Sequence, residues 1–282
     1  MDKIAFQGEL GANSDMACRK YFPDMEPMPC QTFQAALDAI QSGAAALGMI
    51  PVENTVAGRV ADIHHLLPEA SLYIVGERFL PINHQLMGVK GADPAKFTKV
   101  ISHVHALGQC RNKIRDKGLM AEIVFDTAGA ARQVAEEKDP TLVAIASPLA
   151  AELYGLEVFD PEMEDAAHNT TRFLVMASAP DDAEPEVEKV MTSIIFRVRN
   201  VPASLYKALG GFATNGVNVT KLESYQVEGS FNATQFYADF EGHPSNRLVR
   251  LALEELKFFC SELTVLGVYP ADPFRDGMGG SN

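Results

Sequence analysis

The chain has 282 residues, of which 47% are hydrophobic and 22% are charged, a balance typical of a globular protein with two or three domains. Its formal net charge of −13 argues against nucleic-acid binding, which needs a face rich in Lys and Arg, and weakly against binding to an anionic membrane surface. An anionic substrate would need a local basic pocket within this negative field.

Four cysteines are scattered along the chain, at Cys18, Cys30, Cys110 and Cys260. Because none forms a CxxC pair and no Cys or His spacing is typical of zinc, we expect free buried thiols in a reducing compartment and no metal site. Residues 1–6 are too short and too polar for a signal peptide, and no apolar run is long enough to cross a membrane. We therefore expect a cytoplasmic protein.

The first 160 residues alternate between short apolar runs and helix-like segments. Ser14 and Thr32 are placed to cap helices, and Asp126-Thr127 and Ser147-Pro148 open two more. This repeated strand, loop and helix order predicts an α/β fold with a parallel or mixed sheet covered by helices. The predicted strands lie at 4–6, 45–50, 72–77, 99–101, 121–125 and 142–146, and a further extended segment at 81–89 is expected to cross into another lobe.

Polar residues follow two of the predicted strands directly. Asn54 and Thr55 come after one strand, and Ser102 comes after another. Ligands of open α/β sheets bind at the carboxyl ends of strands, so these residues are candidates for a binding site. Asn54 and Thr55 can instead cap the helix predicted at 60–67, and the sequence leaves both roles open.

Residues 168–173 combine two threonines and an arginine directly before an apolar strand. Thr171 can donate a hydrogen bond to a leaving oxygen. Arg172 can bind a carboxylate through its planar fork, or it can have a structural role by pairing with Glu53 or Asp165. The sequence alone does not choose between these roles.

A polar, acidic and proline-interrupted stretch at 181–189 predicts a linker between domains. Beyond it the elements follow the order βαββαβ, with a hairpin turn at 228–230. This order predicts a ferredoxin-like domain at 190–270, and the glycine-rich residues 271–282 predict a flexible tail.

Five motifs in this order and spacing resemble those of the prephenate dehydratase family, and the resemblance extends over essentially the whole chain. Residues 171–173 are similar to the family's signature tripeptide, and the C-terminal part resembles its regulatory ACT domain. The other motifs are Pro51-Val52-Glu53-Asn54-Thr55, Ser102-His103 with Gln109-Cys110, Asp126-Thr127-Ala128-Gly129-Ala130-Ala131, and Ala144-Ile145-Ala146-Ser147 with Leu153-Tyr154-Gly155-Leu156.

The resemblance implies a catalytic domain at 1–180 with two lobes like those of a periplasmic binding protein. One lobe takes residues of about 1–78 plus 160–180, and the other takes 79–160, with a substrate cleft between them. An ACT domain at 190–270 follows.

The implied reaction converts prephenate to phenylpyruvate in L-phenylalanine biosynthesis, by loss of carbon dioxide and hydroxide. Formation of the aromatic ring drives it, so the resemblance implies no metal and no redox cofactor. Thr171 takes the role of the donor to the departing hydroxide. Substrate-binding roles go to Asn54, Thr55, Ser102, Gln109, Thr127, Thr170, Arg172 and Phe173.

The ACT domain implies feedback by L-phenylalanine bound between paired ACT domains, and so a homodimer or homotetramer. Ala203 stands where the family has glycine, and Tyr225-Gln226 replaces its Arg-Pro, which favours weaker binding or a changed effector preference. In the catalytic part, His105 replaces a glutamine of the family. The implied effector-binding residues are Ala203, Ser204, Leu205, Asn218, Glu223 and Ser224.

Two alternatives remain. One is an arogenate dehydratase, whose substrate differs by an amine on the side chain. The other is a non-catalytic small-ligand sensor with the same fold. Residues 171–173 together with Asn54 and Thr55 favour an enzyme, because a sensor needs no donor to a leaving group.

Overall fold

A computed structural model describes residues 1–166, 168–199, 201–226 and 233–277 of the chain. The turn predicted at 228–230 and the last part of the predicted tail, 278–282, lie outside these residues. Within the described part, no helix combines the length and the apolar character needed to span a lipid bilayer.

The strands are β1 (Lys3–Gln7), β2 (Glu26–Cys30), β3 (Leu47–Asn54), β4 (Gly58–Arg59), β5 (Tyr73–Pro81), β6 (Gln85–Gly88), β7 (Lys99–Ser102), β8 (Met120–Ile123), β9 (Leu142–Ala146), β10 (Glu157–Asp160), β11 (Thr170–Ala177), β12 (Val190–Val198), β13 (Val219–Gln226), β14 (Ala233–Glu241) and β15 (Cys260–Pro270). The α-helices are α1 (Asn13–Tyr21), α2 (Phe33–Gln41), α3 (Ala61–Leu66), α4 (Val104–Gln109), α5 (Arg111–Asp116), α6 (Thr127–Glu137), α7 (Pro148–Tyr154), α8 (Ser204–Thr214) and α9 (Arg247–Phe259). Short 3₁₀ helices occupy Pro94–Lys96 and Pro273–Gly277.

Sheet 1 has the strand order β2-β1-β3-β11-β5, with the short strand β4 paired to β3. Strand β1 pairs in parallel with both β2 and β3. Its apolar residues Ile4, Ala5 and Phe6 are completely buried, and α2 packs on it. The position of β11 beside β3 brings the end of β3 next to the threonines that begin β11.

The edge strand β2 is absent from the predicted strands because two of its five residues are prolines, Pro27 and Pro29. They lie opposite Ile4 and Phe6 in the parallel pairing with β1. Proline lacks an N–H donor, and a strand with only one neighbour can turn that side of its backbone away from the sheet. The short elements β4, β10 and α5 are also absent from the prediction.

Sheet 2 has the order β10-β6-β9-β7-β8. Strand β7 pairs in parallel with β8 and β9, whereas β6 pairs antiparallel with β9 and β10. Helix α6 packs on β9, whose five residues are all buried. The mixed sheet predicted for the first 160 residues is therefore confirmed, and it divides into sheets 1 and 2, one for each predicted lobe.

Sheet 3 is antiparallel throughout, with the order β13-β14-β12-β15. Helices α8 and α9 pack against one of its faces, over a core that includes Phe196, Phe212, Phe240 and Leu256. The order βαββαβ follows the prediction, and with sheets 1 and 2 it confirms the predicted fold class.

The chain divides into two compact units. The first comprises Met1–His64 and Arg78–Phe173, and the second comprises His65–Glu77 and the chain from Leu174 onward. Strands β5 and β11 each contribute residues to both units.

In the second unit, a buried ion pair joins Glu77 to Arg275. Glu77 is completely buried, and its carboxylate accepts hydrogen bonds from Arg275 Nε at 2.5 Å and Nη2 at 2.8 Å. Arg275 belongs to the 3₁₀ helix at Pro273–Gly277, within the stretch predicted as a tail.

Candidate active site

A cavity of about 240 Å³ lies in the first unit. Its lining comes from strand ends and helix starts of both sheet 1 and sheet 2. On the side of sheet 1 it includes Asn13, Ser14, Asn54, Thr171 and Phe173, and on the side of sheet 2 it includes Ile82, His84, His103, His105, Gln109, Asp126 and Thr127.

The cavity brings together some of the predicted site residues and not others. Those that line it are Asn54, Gln109, Thr127, Thr171 and Phe173. Those outside its lining are Thr55, Ser102, Thr170 and Arg172.

The alternation of side chains along β11 explains part of this division. Successive residues of a strand point to opposite faces, so Thr171 and Phe173 share the cavity face. Arg172, between them, is 2% exposed, and its Nη1 lies 2.9 Å from Glu53 Oε1. This contact is one of the two roles that the sequence leaves open for Arg172.

Asn54 sets the orientation of the Thr171 hydroxyl. Asn54 Oδ1 accepts hydrogen bonds from the backbone N–H groups of Val56 at 2.9 Å and Ala57 at 2.8 Å, which identifies it as the oxygen. Asn54 Nδ2 then donates to Thr171 Oγ1 at 3.0 Å. Because Thr171 Oγ1 accepts here and has no acceptor for its own hydrogen among the described residues, that hydrogen remains available to a ligand.

Gln109, Asn169 and His84 extend this network. Asn54 Nδ2 also donates to Asn169 Oδ1 at 2.7 Å, and Asn169 Nδ2 donates to Gln109 Oε1 at 3.0 Å. Gln109 Nε2 donates back to Asn54 Oδ1 at 3.2 Å, and His84 Nε2 lies 2.7 Å from Gln109 Oε1. Four side chains from distant parts of the chain therefore hold the position of Thr171.

Thr55, Thr170 and Ser102 lie outside the cavity lining and make hydrogen bonds within the surrounding structure. Thr55 Oγ1 accepts from the Thr170 N–H at 2.9 Å and donates to the His168 carbonyl, and the Thr55 N–H donates to the Thr170 carbonyl at 2.9 Å. Ser102 is completely buried and donates to the Ile145 carbonyl at 2.5 Å. These bonds connect neighbouring strands and loops of the two sheets.

The electrostatics of the cavity depend on histidines and helix ends, since its described lining contains neither Lys nor Arg. Burial lowers the pKa of His84, and burial together with the neighbouring His105 lowers the pKa of His103. Burial raises the pKa of Asp126, the cap of α6. A depressed histidine pKa favours the neutral ring, so His84 and His103 add little positive charge to the cavity at neutral pH.

Helix N-termini supply partial positive charge at the same cavity. Helix α1 begins at Asn13 and α6 begins at Thr127, and both residues belong to the lining. Backbone N–H groups at such ends favour anions. In the described part of the chain, no group of three or more His, Cys, Asp or Glu side chains is arranged to hold a metal ion.

Comparison with known protein families identifies the family to which the chain belongs. The model of the family described as prephenate dehydratase matches residues 4–181. The chain belongs to the prephenate dehydratase family. The resemblance predicted from five motifs is therefore confirmed, and the protein is an enzyme of the carbon–oxygen lyase class.

Relatives of the family cover nearly all of this chain. A protein of Komagataeibacter europaeus, named bifunctional N-acyl-homoserine lactone acylase/prephenate dehydratase, is 51% identical over 96% of this chain and 97% of its own length. Arogenate dehydratase/prephenate dehydratase 2 of Arabidopsis thaliana is 36% identical over 96% of this chain and 73% of its own. The structure of prephenate dehydratase from Arthrobacter aurescens in complex with L-Phe has a TM-score of 0.87 at 26% identity, with 95% and 90% of the two chains covered.

The residues predicted to bind an effector lie at two ends of sheet 3. Residues 203–205 begin α8, which follows the last residue of β12. Asn218 lies near the first residue of β12, because its carbonyl accepts from the Glu241 N–H at 3.0 Å and Glu241 pairs with Met191. Within one chain, Asn218 is therefore separated from 203–205 by the length of a strand.

Glu223 and Ser224 lie on β13, nearer to the end of sheet 3 at which α8 begins. They pair with Tyr237 and Phe236, and Glu223 Oε1 lies 3.1 Å from Lys221 Nζ. Ala203 has a φ of +62°, the left-handed conformation that favours glycine. A glycine at this position, as in the family, would adopt this φ without strain and would also lack the methyl group of Ala203.

His84 and Asn169 are absent from the predicted site residues. Asn169 directly precedes Thr170 and Thr171, so its position in the sequence already indicates that it lies close to the site. His84 precedes β6, at the start of a strand rather than at its carboxyl end, where the prediction looked for polar residues. Its contact with Gln109 depends on the packing of the loop before β6, which the sequence pattern does not predict.

Proposed function

We propose that this enzyme is a prephenate dehydratase that converts prephenate to phenylpyruvate in phenylalanine biosynthesis. The observation that carries the proposal is the Thr171 hydroxyl, which lies in the cavity, accepts from Asn54 Nδ2 at 3.0 Å and keeps its hydrogen available for a ligand. A reaction in which hydroxide leaves a carbon atom needs such a donor beside the departing oxygen.

The proposed step balances as follows. The bond between the ring and its carboxylate breaks, its electron pair enters the ring, and carbon dioxide leaves. The bond between the ring and its hydroxyl breaks on the opposite carbon, and the departing oxygen takes up one proton and leaves as water. The prephenate dianion plus one proton thus gives phenylpyruvate, carbon dioxide and water, and Thr171 delivers or orients that proton.

The carboxylates of the substrate are proposed to bind at the helix ends. Asn13 at the start of α1 and Thr127 at the start of α6 line the cavity, so the partial positive charge of the backbone N–H groups there can stabilise carboxylates without a Lys or Arg side chain. We propose prephenate rather than arogenate as the main substrate, because the relative at 51% identity is named for prephenate and the plant relative at 36% is named for both.

The first experiment measures phenylpyruvate formation from prephenate and phenylalanine formation from arogenate in parallel. Thr171→Val keeps the shape of the side chain and removes the hydroxyl, so kcat should fall by at least about 10² while KM changes little. Thr171→Ser keeps the hydroxyl and serves as the control, with a much smaller loss. Near-normal turnover of the folded Thr171→Val variant would contradict the assigned role.

The relative from Komagataeibacter europaeus gives a second candidate activity. Its name includes N-acyl-homoserine lactone acylase, and its 51% identity extends over 97% of its length. We propose that this chain be tested for hydrolysis of N-acyl-homoserine lactones to a fatty acid and homoserine lactone, with water as the second substrate. No release of fatty acid by enzyme that turns over prephenate would restrict the chain to the lyase reaction.

We further propose that L-phenylalanine is a feedback effector and that it binds between two copies of the chain. A related structure contains L-Phe. Residues 203–205 and Asn218 lie at opposite ends of sheet 3 in one chain, so a site that uses both needs a second chain beside the first. We expect added phenylalanine to inhibit the enzyme and at least a homodimer in sedimentation. A 30.6 kDa monomer that ignores phenylalanine and tyrosine would contradict both expectations.

We also propose that the enzyme works in the cytoplasm. Its four cysteines are buried and free, a state that a reducing compartment maintains. Cell fractionation followed by the prephenate assay tests the location, and activity confined to the culture medium or the periplasm would contradict it.

A further inference from the structure

His84 contacts the hydrogen-bond network around Thr171, although it is not among the site residues predicted from the sequence. Its side chain lines the cavity, yet the residue is only 3% exposed. Its backbone N–H donates to Glu164 Oε2 at 2.9 Å, and two residues earlier the Ile82 N–H donates to the Asn169 carbonyl at 2.8 Å. The backbone of the loop that carries the imidazole is therefore fixed at both residue 82 and residue 84.

The hydrogen-bond directions determine the tautomer of His84. Gln109 Oε1 accepts from Asn169 Nδ2 at 3.0 Å, so it is the carbonyl oxygen of the amide. His84 Nε2, 2.7 Å from the same oxygen, must then carry a hydrogen and donate it. His84 Nδ1 carries the lone pair and has no hydrogen-bond partner among the described residues, and burial lowers the pKa of the ring.

We propose that His84 is a positioning residue for the reaction, whose Nε2–H holds Gln109 and, through Gln109 and Asn54, the direction of the Thr171 hydroxyl. This inference rests on the role proposed for Thr171. Each donor points the same way along the path, from His84 to Gln109, from Gln109 to Asn54 and from Asn54 to Thr171. Bonds aligned in this way polarise one another, and loss of the first donor leaves Gln109 Oε1 with Asn169 Nδ2 as its one remaining donor among the described residues, so the Gln109 amide is held less firmly.

Two substitutions separate the donor from the ring. His84→Phe keeps an aromatic ring of similar size and removes the Nε2–H, whereas His84→Gln keeps an N–H donor at a similar reach. We expect His84→Phe to lower kcat for prephenate by about tenfold to a hundredfold, as loss of an outer supporting group does at other sites, with KM within about threefold. His84→Gln should restore most of the lost kcat.

The decisive measurement combines His84→Phe with Thr171→Val. If His84 acts through the Thr171 hydroxyl, His84→Phe should change kcat by less than about twofold when that hydroxyl is already absent. His64→Phe is the matched control. His64 is also buried, with Nε2 3.2 Å from the Val52 carbonyl, but it is not part of the cavity lining, so its effect on kcat should be the same with and without the Thr171 hydroxyl.

A kcat of the folded His84→Phe variant within about twofold of the parent, or an equal loss in the presence and absence of the Thr171 hydroxyl, would overturn the inference. If His84→Phe does not fold, His84→Gln and His84→Asn decide it, since the shorter asparagine cannot reach Gln109 and must be slower. A normal kcat for Thr171→Val alone is a distinguishable result, because it overturns the role of Thr171 and the inference with it.

Discussion

Replacement of Asn54 by aspartate tests whether the direction of one hydrogen bond controls turnover. Asn54 Oδ1 accepts from the N–H groups of Val56 and Ala57 and from Gln109 Nε2, and an aspartate retains all three bonds. Asn54 Nδ2, however, donates to Thr171 Oγ1 at 3.0 Å and to Asn169 Oδ1 at 2.7 Å, and both aspartate and alanine lose these two bonds. Aspartate alone also presents an acceptor to the Thr171 hydroxyl. The Thr171 hydroxyl will then donate to the carboxylate instead of to the departing hydroxide.

The expected magnitude follows from the role of the hydroxyl. A positioned proton donor contributes roughly 10²–10⁴ in rate, so Asn54→Asp should lower kcat by about 10²–10³. This loss corresponds to about 3–4 kcal/mol in the activation barrier. Asn54→Ala removes the same donor but adds no competing acceptor, so Thr171 can still donate, and we expect a loss of only about tenfold.

The assay is phenylpyruvate formation at saturating prephenate, with kcat and KM determined separately. The separation matters because the added carboxylate repels a dianionic substrate and raises KM by itself. Circular dichroism and thermal melting check that both variants fold. A kcat for Asn54→Asp equal to or above that of Asn54→Ala would refute the reasoning, because it would show that an acceptor beside the Thr171 hydroxyl does not slow the reaction.

Two further predictions concern stability. Arg172→Met removes a buried guanidinium 2.9 Å from Glu53; because the Glu53 side chain is 32% exposed and can hydrate, we expect a loss of about 2 kcal/mol, below the range for a fully buried pair, with KM unchanged. A raised KM at an unchanged melting temperature would instead make Arg172 a substrate ligand. Ala203→Gly relieves a left-handed residue at φ +62°, so urea unfolding should show a gain of about 0.5–1 kcal/mol. Unchanged or lower stability would show that the conformation is not strained.

The sequence by itself determined the features whose causes are local. Thr32, Asp126 and Ser147 each accept a hydrogen bond from the N–H three residues later, so these three predicted helix starts are correct. The cap predicted at Ser14 is wrong, because α1 already begins at Asn13 after Ala12. Gly155 ends α7 in the left-handed conformation that glycine adopts readily. These interactions span only a few residues, and the residue types needed for them are visible in the sequence.

The prediction of the site was less complete because adjacent residues of a strand were assigned to the same cavity. The alternation of side chains already implies that Thr171 and Arg172 face opposite ways. Which of them faces the cavity depends on the strands beside β11, and those are β3 and β5. The sequence contains the alternation but not the order of the strands in the sheet.

Only the tertiary structure decided the network around Thr171. Asn54 and Thr171 are 117 residues apart, Gln109 and Asn169 are 60 apart, and His84 and Gln109 are 25 apart. Each bond forms because sheets 1 and 2 bring loops from remote parts of the chain to one cavity. The direction of a side chain is a local property, whereas the partner that it meets is set by strand order and by the packing of one loop on another.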